Sequence, residues 1–324
     1  LSFAAPTLVV GASALSEKAA ALCELPAEVW GETDFGDLAR VRDILTQRRV
    51  ALEQYYLSSG HTAALGRTST YFSSAARASC AMGGLDYYLF LRELLEHWDE
   101  RADGLSDLLA DLARRVFTAD NVTVSFTGPA ADRELFWRRG GNLGLRPGDV
   151  ERRLTVPAPE PRREAFVIPS DVAYVARAAA PSPADAGSVG TWQVAARALS
   201  YDYLWNEVRV KGGAYGVGFK RSTEGLRQFW SYRDPSVDAT LARYDAPVKP
   251  RQLARRQDVA RFNARPEGWR DTVREQELAA TADDVRALAA ALADEGAPQG
   301  ICVFGGRDAI EASTVDFDAV TELC

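Results

Sequence analysis

Apolar residues recur at helical spacing through the first third of the chain and change to strand spacing near residue 121. Leu38, Val41, Leu45, Leu52 and Tyr55 share one helical face, and Asp34 stands where a helix of that phase would be capped. Gly60 follows the run in the position of a glycine that ends a helix in the left-handed conformation. Ser16 can cap a shorter helix through Leu22. Further helical patterns cover residues 61–79, then Leu85, Leu89 and Leu95, then Leu105, Leu108, Leu109, Leu112 and Val116. The period next falls to two. Val122, Val124 and Phe126 alternate with polar residues, which predicts a strand over 121–127 with one buried side.

Residues 140–161 contain Gly140, Gly141, Gly144, Pro147, Gly148, Pro157, Pro159 and Pro161, the composition of a linker. Beyond it the pattern predicts strands at 164–168 and 171–178, then a helix over 190–208 carrying Trp192, Ala196, Leu199, Tyr203 and Asn206. A turn at Gly212-Gly213 leads into a hairpin of 215–222 and 227–233. Helices return over 269–280 and after Thr281, where Thr281 and Asp284 make a capping box with Asp in the place of Glu. Residues 300–305 read as a short buried strand. Mixed helices and antiparallel-looking strands in both halves give an α+β class. The expected division is a helix-rich domain over 1–139, a linker over 140–163 and a second domain over 164–324.

A length of 324 residues favours two domains, and 47% hydrophobic residues supply enough apolar material for two cores. The formal net charge of −7 argues against nucleic acid or an anionic membrane as partner, since both are bound by concentrated positive charge. No apolar run approaches the roughly 20 residues that cross a bilayer. Residues 1–10 lack the basic start of a signal peptide and read as a strand entered mid-fold. Cys23, Cys80, Cys302 and Cys324 are widely spaced without a CxxC pair, as expected of reduced thiols. Together these features predict a cytoplasmic protein of bacterial type.

Candidate chemistry is sparse. The two histidines, His61 and His97, form neither HExxH nor HxxEH. Combining both with a distant carboxylate would be the one route to a His₂-carboxylate metal site, and ordinary helix histidines are the plainer reading. No metal ligand set is therefore assigned. No GxSxG, P-loop or Cys–His pairing is present. What stands out is the run from Tyr201 to Tyr232. There a helix ends on a cation, the backbone turns on Gly212-Gly213, and Tyr215 opens a glycine-rich strand. This order brings the Arg209 guanidinium and the Tyr215 hydroxyl to one lip, where a fork of N–H donors and a phenol suit a peptide backbone. The same residues also fit a bland account, in which Arg209 complements a helix C-terminus and Tyr215 is a half-buried strand aromatic. The pattern alone leans to the bland account.

The segment Leu204-Trp205-Asn206-Glu207-Val208-Arg209-Val210-Lys211-Gly212-Gly213-Ala214-Tyr215-Gly216, followed by Ser231-Tyr232-Arg233-Asp234-Pro235, strongly resembles the C-terminal half of the pitrilysin/insulinase metallopeptidases. The similarity is greatest to the presequence protease branch. Thr33-Asp34-Phe35, the run from Ser59 to Ala64 and residues 121–128 resemble that branch's third domain. The resemblance implies two homologous halves, each of two α+β domains with a mainly antiparallel sheet, enclosing a chamber for short or unfolded peptides. It implies a zinc bound by the N-terminal half and none by this segment, which alone should be inactive. It also implies that Arg209 and Tyr215 hold the substrate and support the transition state, with Asn206, Gly212, Gly213, Ala214 and Gly216 completing the lip. The partners would be the zinc-binding half, in the same polypeptide or another subunit, and a peptide. A non-catalytic peptide-binding or scaffold homologue is the alternative. Two departures stand out. The family's third domain begins with strands upstream of Leu1, and residues are expected to be missing between Tyr244 and Asp245.

Overall fold

The structure is a computed structural model that describes residues 8–19, 21–148, 156–182, 187–245, 268–292 and 296–323. The described residues form two units, one of 51–87 with 156–323 and the other of 8–50 with 88–148. The architecture is α+β, as the pattern predicts.

In the order of the chain, the first helices are α1 (Ala21–Gly31), α2 (Leu38–Ser58), α3 (Gly60–Thr70), α4 (Ser74–Gly83), α5 (Leu85–Glu96), α6 (Trp98–Val116) and α7 (Ala130–Gly140). Several boundaries differ from the predicted ones for local reasons. Asp34 accepts from the Gly36 amide at 2.8 Å in a turn before α2, and Asp37 accepts from the Arg40 amide at 3.0 Å and so supplies the cap. Ser16 opens only a short 3₁₀ turn, Ser16–Lys18, and its hydroxyl donates to Asp132 at 2.8 Å. The pattern over 61–79 breaks in two because Ser73 caps α4, accepting from the Ala76 amide at 3.3 Å.

Gly60 begins α3 and does not end α2. A Cβ at this position would overlap the Tyr174 ring, so the glycine permits a helix to approach a sheet. Residues 121–127 carry no strand. Val122, Val124 and Phe126 do pack on Cys23, Phe136, Leu143 and Leu145, so the alternation reports one buried side. Among the described residues there is no neighbouring strand to complete a ladder, and extended chain without one is not a sheet. Of the predicted strand over 1–10, residues 1–7 lie outside the described residues, and 8–10 are irregular. In the linker, 149–155 lie outside as well.

The sheet has strands β1 (Arg163–Val167), β2 (Tyr174–Ala179), β3 (Gly216–Arg221), β4 (Arg227–Tyr232), β5 (Gln299–Gly305) and β6 (Ala319–Glu322) in the order β3-β4-β2-β5-β1-β6. The pairs β3–β4, β4–β2 and β2–β5 are antiparallel, and β5–β1 and β1–β6 are parallel. Alternate residues Ala165, Val175, Val217, Phe229 and Val303 point into one core, shared with Trp192, Leu199, Leu204 and Val208. On the opposite face Phe166 stacks on Phe304, with ring centroids 5.0 Å apart, and Tyr56 stacks on Phe304 from above at 5.9 Å. A central strand covered on both faces reads as a continuous apolar run, which is why 300–305 was legible as a buried strand.

Residues 51–87, which the sequence places with the first domain, cover this second face. The Gln228 amide donates to the Leu65 carbonyl and the Thr68 hydroxyl, both at 2.9 Å, and the Tyr174 hydroxyl donates to the Leu57 carbonyl at 2.9 Å. Three helices of this unit enter the description of the site below: α8 (Val189–Ala198), α9 (Val237–Asp245) and α10 (Trp269–Ala279). The suspected gap after Tyr244 adjoins residues 246–267, which lie outside the described residues. The capping box at Thr281 is formed, with the Thr281 hydroxyl accepting from the Asp284 amide at 3.2 Å. Among the described residues no helix is long and apolar enough to cross a membrane.

Candidate functional site

Ser188 caps α8 by accepting from the Thr191 amide at 3.1 Å. Gly190 in its first turn lets α10 lie close, since a Cβ would meet the Gln276 and Glu277 backbone. The helix predicted over 190–208 does not continue in α form. From Leu199 to Val210 it is a π-helix. Its buried residues Leu199, Leu204 and Val208 are five and four positions apart, wider than the 3.6-residue α period, so this spacing was the available sequence signal. The Lys211 amide still bonds five residues back, to the Asn206 carbonyl at 3.0 Å.

Gly213, at φ 82°, then reverses the chain. Its amide donates to the Arg209 carbonyl at 3.0 Å, and the Ala214 amide donates to the Val208 carbonyl at 3.2 Å. Carbonyls left open at the helix end are thereby satisfied. Gly212 is required by space, because a side chain there would run into the Val208 carbonyl and the Arg243 guanidinium. The Tyr215 amide then closes onto the Tyr232 carbonyl at 3.0 Å, starting β3.

This geometry brings Arg209 and Tyr215 together. The Arg209 Cζ lies 3.8 Å from the Trp205 ring centroid and 5.9 Å from that of Tyr215. Glu207 is engaged with Lys211 at 2.6 Å, and among the described residues Arg209 has no ion pair. Its flat faces are stacked and its N–H edges uncommitted, while Tyr215 is 68% exposed. The other expected lip residues divide. Gly213 is exposed at the turn, and Gly216 lies against Tyr232. Asn206 spends its amide on the Asp202 carbonyl at 2.7 Å. Ala214 is 2% exposed and belongs to the core.

Sequence reasoning missed the residues behind the lip. Tyr215 meets Tyr232 edge-on at 5.9 Å, Tyr232 meets His61 edge-on at 4.8 Å, and His61 also lies 5.3 Å from Trp230. Asp234, one residue beyond Arg233 with its positive φ of 48°, accepts from the Ser236 amide at 3.0 Å. Burial raises the Asp234 carboxyl above the usual range, opposed by Ser231, Ser236, Thr240 and Arg243.

Burial pushes the His61 imidazole below its ordinary value of 6.5. The folded chain therefore binds this proton less readily than the unfolded chain. The stability from a neutral His61 is complete above 6.5 and is lost as pH falls below it. Melting temperatures taken between about pH 7.5 and about pH 5 should fall more steeply for the wild type than for His61→Phe, which keeps a ring. Equal slopes would show that His61 titrates as a free imidazole.

Neither histidine suits a metal. The His61 ring is stacked among aromatics with Nε2 3.3 Å from the Thr62 hydroxyl, and His97 Nδ1 lies 3.0 Å from the Glu93 carbonyl. Among the described residues no three His, Cys, Asp or Glu side chains are grouped to hold a metal ion.

Two family models match the sequence: the PreP C-terminal domain over residues 163–259, and the domain associated with the C subfamily of the M16 peptidases over residues 2–94. Protein HypA of Clostridium perfringens is 30% identical over 74% of this chain and 25% of its own length. Presequence protease 1, chloroplastic/mitochondrial, of Arabidopsis thaliana is 31% identical over 74% of this chain and 22% of its own length. The chain thus spans about a quarter of the length of the curated relatives it matches. A solved peptidase M16 inactive domain from Pseudomonas fluorescens aligns with 88% of this chain and 74% of that chain at 17% identity, with a TM-score of 0.49.

Proposed function

Because this chain belongs to the M16 peptidases, in their presequence protease branch, and matches the C-terminal region of those proteins, we propose that it supplies the peptide-holding lip of a metalloendopeptidase. The observation that carries the proposal is the Arg209 guanidinium, stacked against Trp205 and near Tyr215, with no ion pair among the described residues. An arginine already held by its neighbours loses little further freedom when it donates to a peptide carbonyl. Tyr215 can donate its hydroxyl to an oxygen that gains negative charge as the peptide bond is attacked. The metal and the base belong, in this reading, to another part of the protein, since the residues of this chain do not fit a metal site. Short or unfolded peptides are the proposed substrates, because an extended backbone offers its carbonyls to such a lip.

Fluorescence anisotropy of a labelled unstructured peptide on this chain tests the reading. Arg209→Ala should weaken binding about tenfold or more, the scale of a hydrogen bond to a charged group. Unchanged affinity, with the melting temperature also unchanged, would remove Arg209 from the site.

A further inference from the structure

The π-helix presents Tyr201, Trp205 and Arg209 at intervals of four, opposite its buried Leu204 and Val208. Tyr201 is 73% exposed and Trp205 38% exposed, and their ring centroids are 6.4 Å apart. The fold does not need these rings in its core. Trp192, Leu199, Leu204 and Val208 already fill the side of this helix that faces the sheet. The two rings leave aromatic area in water, continuous with the Arg209 stack. Rigid rings beside an uncommitted guanidinium are the residue types that dominate binding surfaces. Because Arg209 touches Trp205 and lies near Tyr215, the rings stand within roughly three residues of extended peptide from Tyr215.

We infer that Tyr201 and Trp205 form a side-chain subsite for an aromatic or large apolar residue of a peptide whose backbone is held by Arg209 and Tyr215. The inference rests on the peptide-binding reading above and adds the class of side chain selected. The occupant follows from continuity with the lip: one peptide can donate a ring to Trp205 and Tyr201 while its carbonyls reach Arg209.

The test compares two labelled dodecapeptides of Gly, Ser and Ala, one of them carrying a single central Phe. Wild-type chain should bind the Phe peptide about five- to tenfold more tightly, the scale of one aromatic contact. In Trp205→Ala both peptides should weaken, because Arg209 loses its support, and the ratio between them should collapse toward one. Trp205→Phe should restore the ratio. A merely structural Trp205 would lower both affinities by one factor and leave the ratio intact, which overturns the inference. So would equal binding of both peptides by the wild type. So would concentration-dependent self-association abolished by Trp205→Ala, since the rings would then face a second copy. Failure of the underlying reading has a separate signature: Arg209→Ala binds both peptides as the wild type does.

Discussion

Arg67→Met is expected to destabilise the sheet-bearing unit by about 3–5 kcal/mol, because it strands a buried carboxylate. Arg67 grips Glu164 on β1 with two parallel bonds, Nε to Oε2 at 2.6 Å and Nη2 to Oε1 at 3.0 Å. The side chains are 14% and 6% exposed. The Tyr71 hydroxyl adds a third bond to Glu164 Oε2 at 2.8 Å. Burial alone would lower the Arg67 pKa, yet the bond to Glu164 and the charges of Glu164 and Asp86 raise it overall. Burial, with the nearby Cys302 and Glu164, likewise raises the Tyr71 phenol. With Arg67 gone, Glu164 must ionise in a dry setting or take up a proton. The second bridge, Arg67 Nη1 to Asp86 at 2.7 Å, ends on a carboxylate 42% exposed and adds little.

Hydrogen exchange of the β5 amides in urea would report this unit without averaging over the other. Arg67→Met with Glu164→Met should recover most of the loss, since an apolar pair of similar volume needs no desolvation. A loss below about 1 kcal/mol in the single variant would mean that Glu164 is solvated after all.

In the complete protein, Tyr215→Phe is expected to slow peptide cleavage by about 10²–10³, the effect of deleting one donor to a developing oxyanion. The change should fall on kcat with KM nearly unchanged, since the hydroxyl is proposed to act on charge that appears only in the transition state. Arg209→Ala, which removes a group gripping the peptide throughout, should raise KM as well. Tyr215 is largely exposed, so its hydroxyl can be removed without disturbing the core. Wild-type turnover in Tyr215→Phe would end its proposed role. Peptide binding without any cleavage by the wild-type complete protein would favour the scaffold alternative.

Features built from neighbouring residues were legible in the chain. The β3–β4 hairpin, the capping box of Thr281 and Asp284, and the turn on Gly212-Gly213 all depend on hydrogen bonds or backbone angles spanning only a few positions. The meeting of Arg209 with Tyr215 was legible for the same reason, because only a short turn separates them. The π-helix was half legible. Its five-and-four spacing is present in the sequence, but only a packed sheet reveals which apolar residues are the buried ones.

The remaining features required contacts between distant segments. Whether Gly60 ends one helix or begins another depends on the Tyr174 ring, and the pairing of Arg67 with Glu164 depends on α3 lying against β1. His61 gains its aromatic neighbours from β2 and β4 in the same way. Alternation over 121–127 recorded a buried side, while a ladder requires a second strand. Periodicity and turn chemistry are set by bonds along the chain. Burial, desolvation and ion pairing are set by what folding brings from elsewhere to the same place.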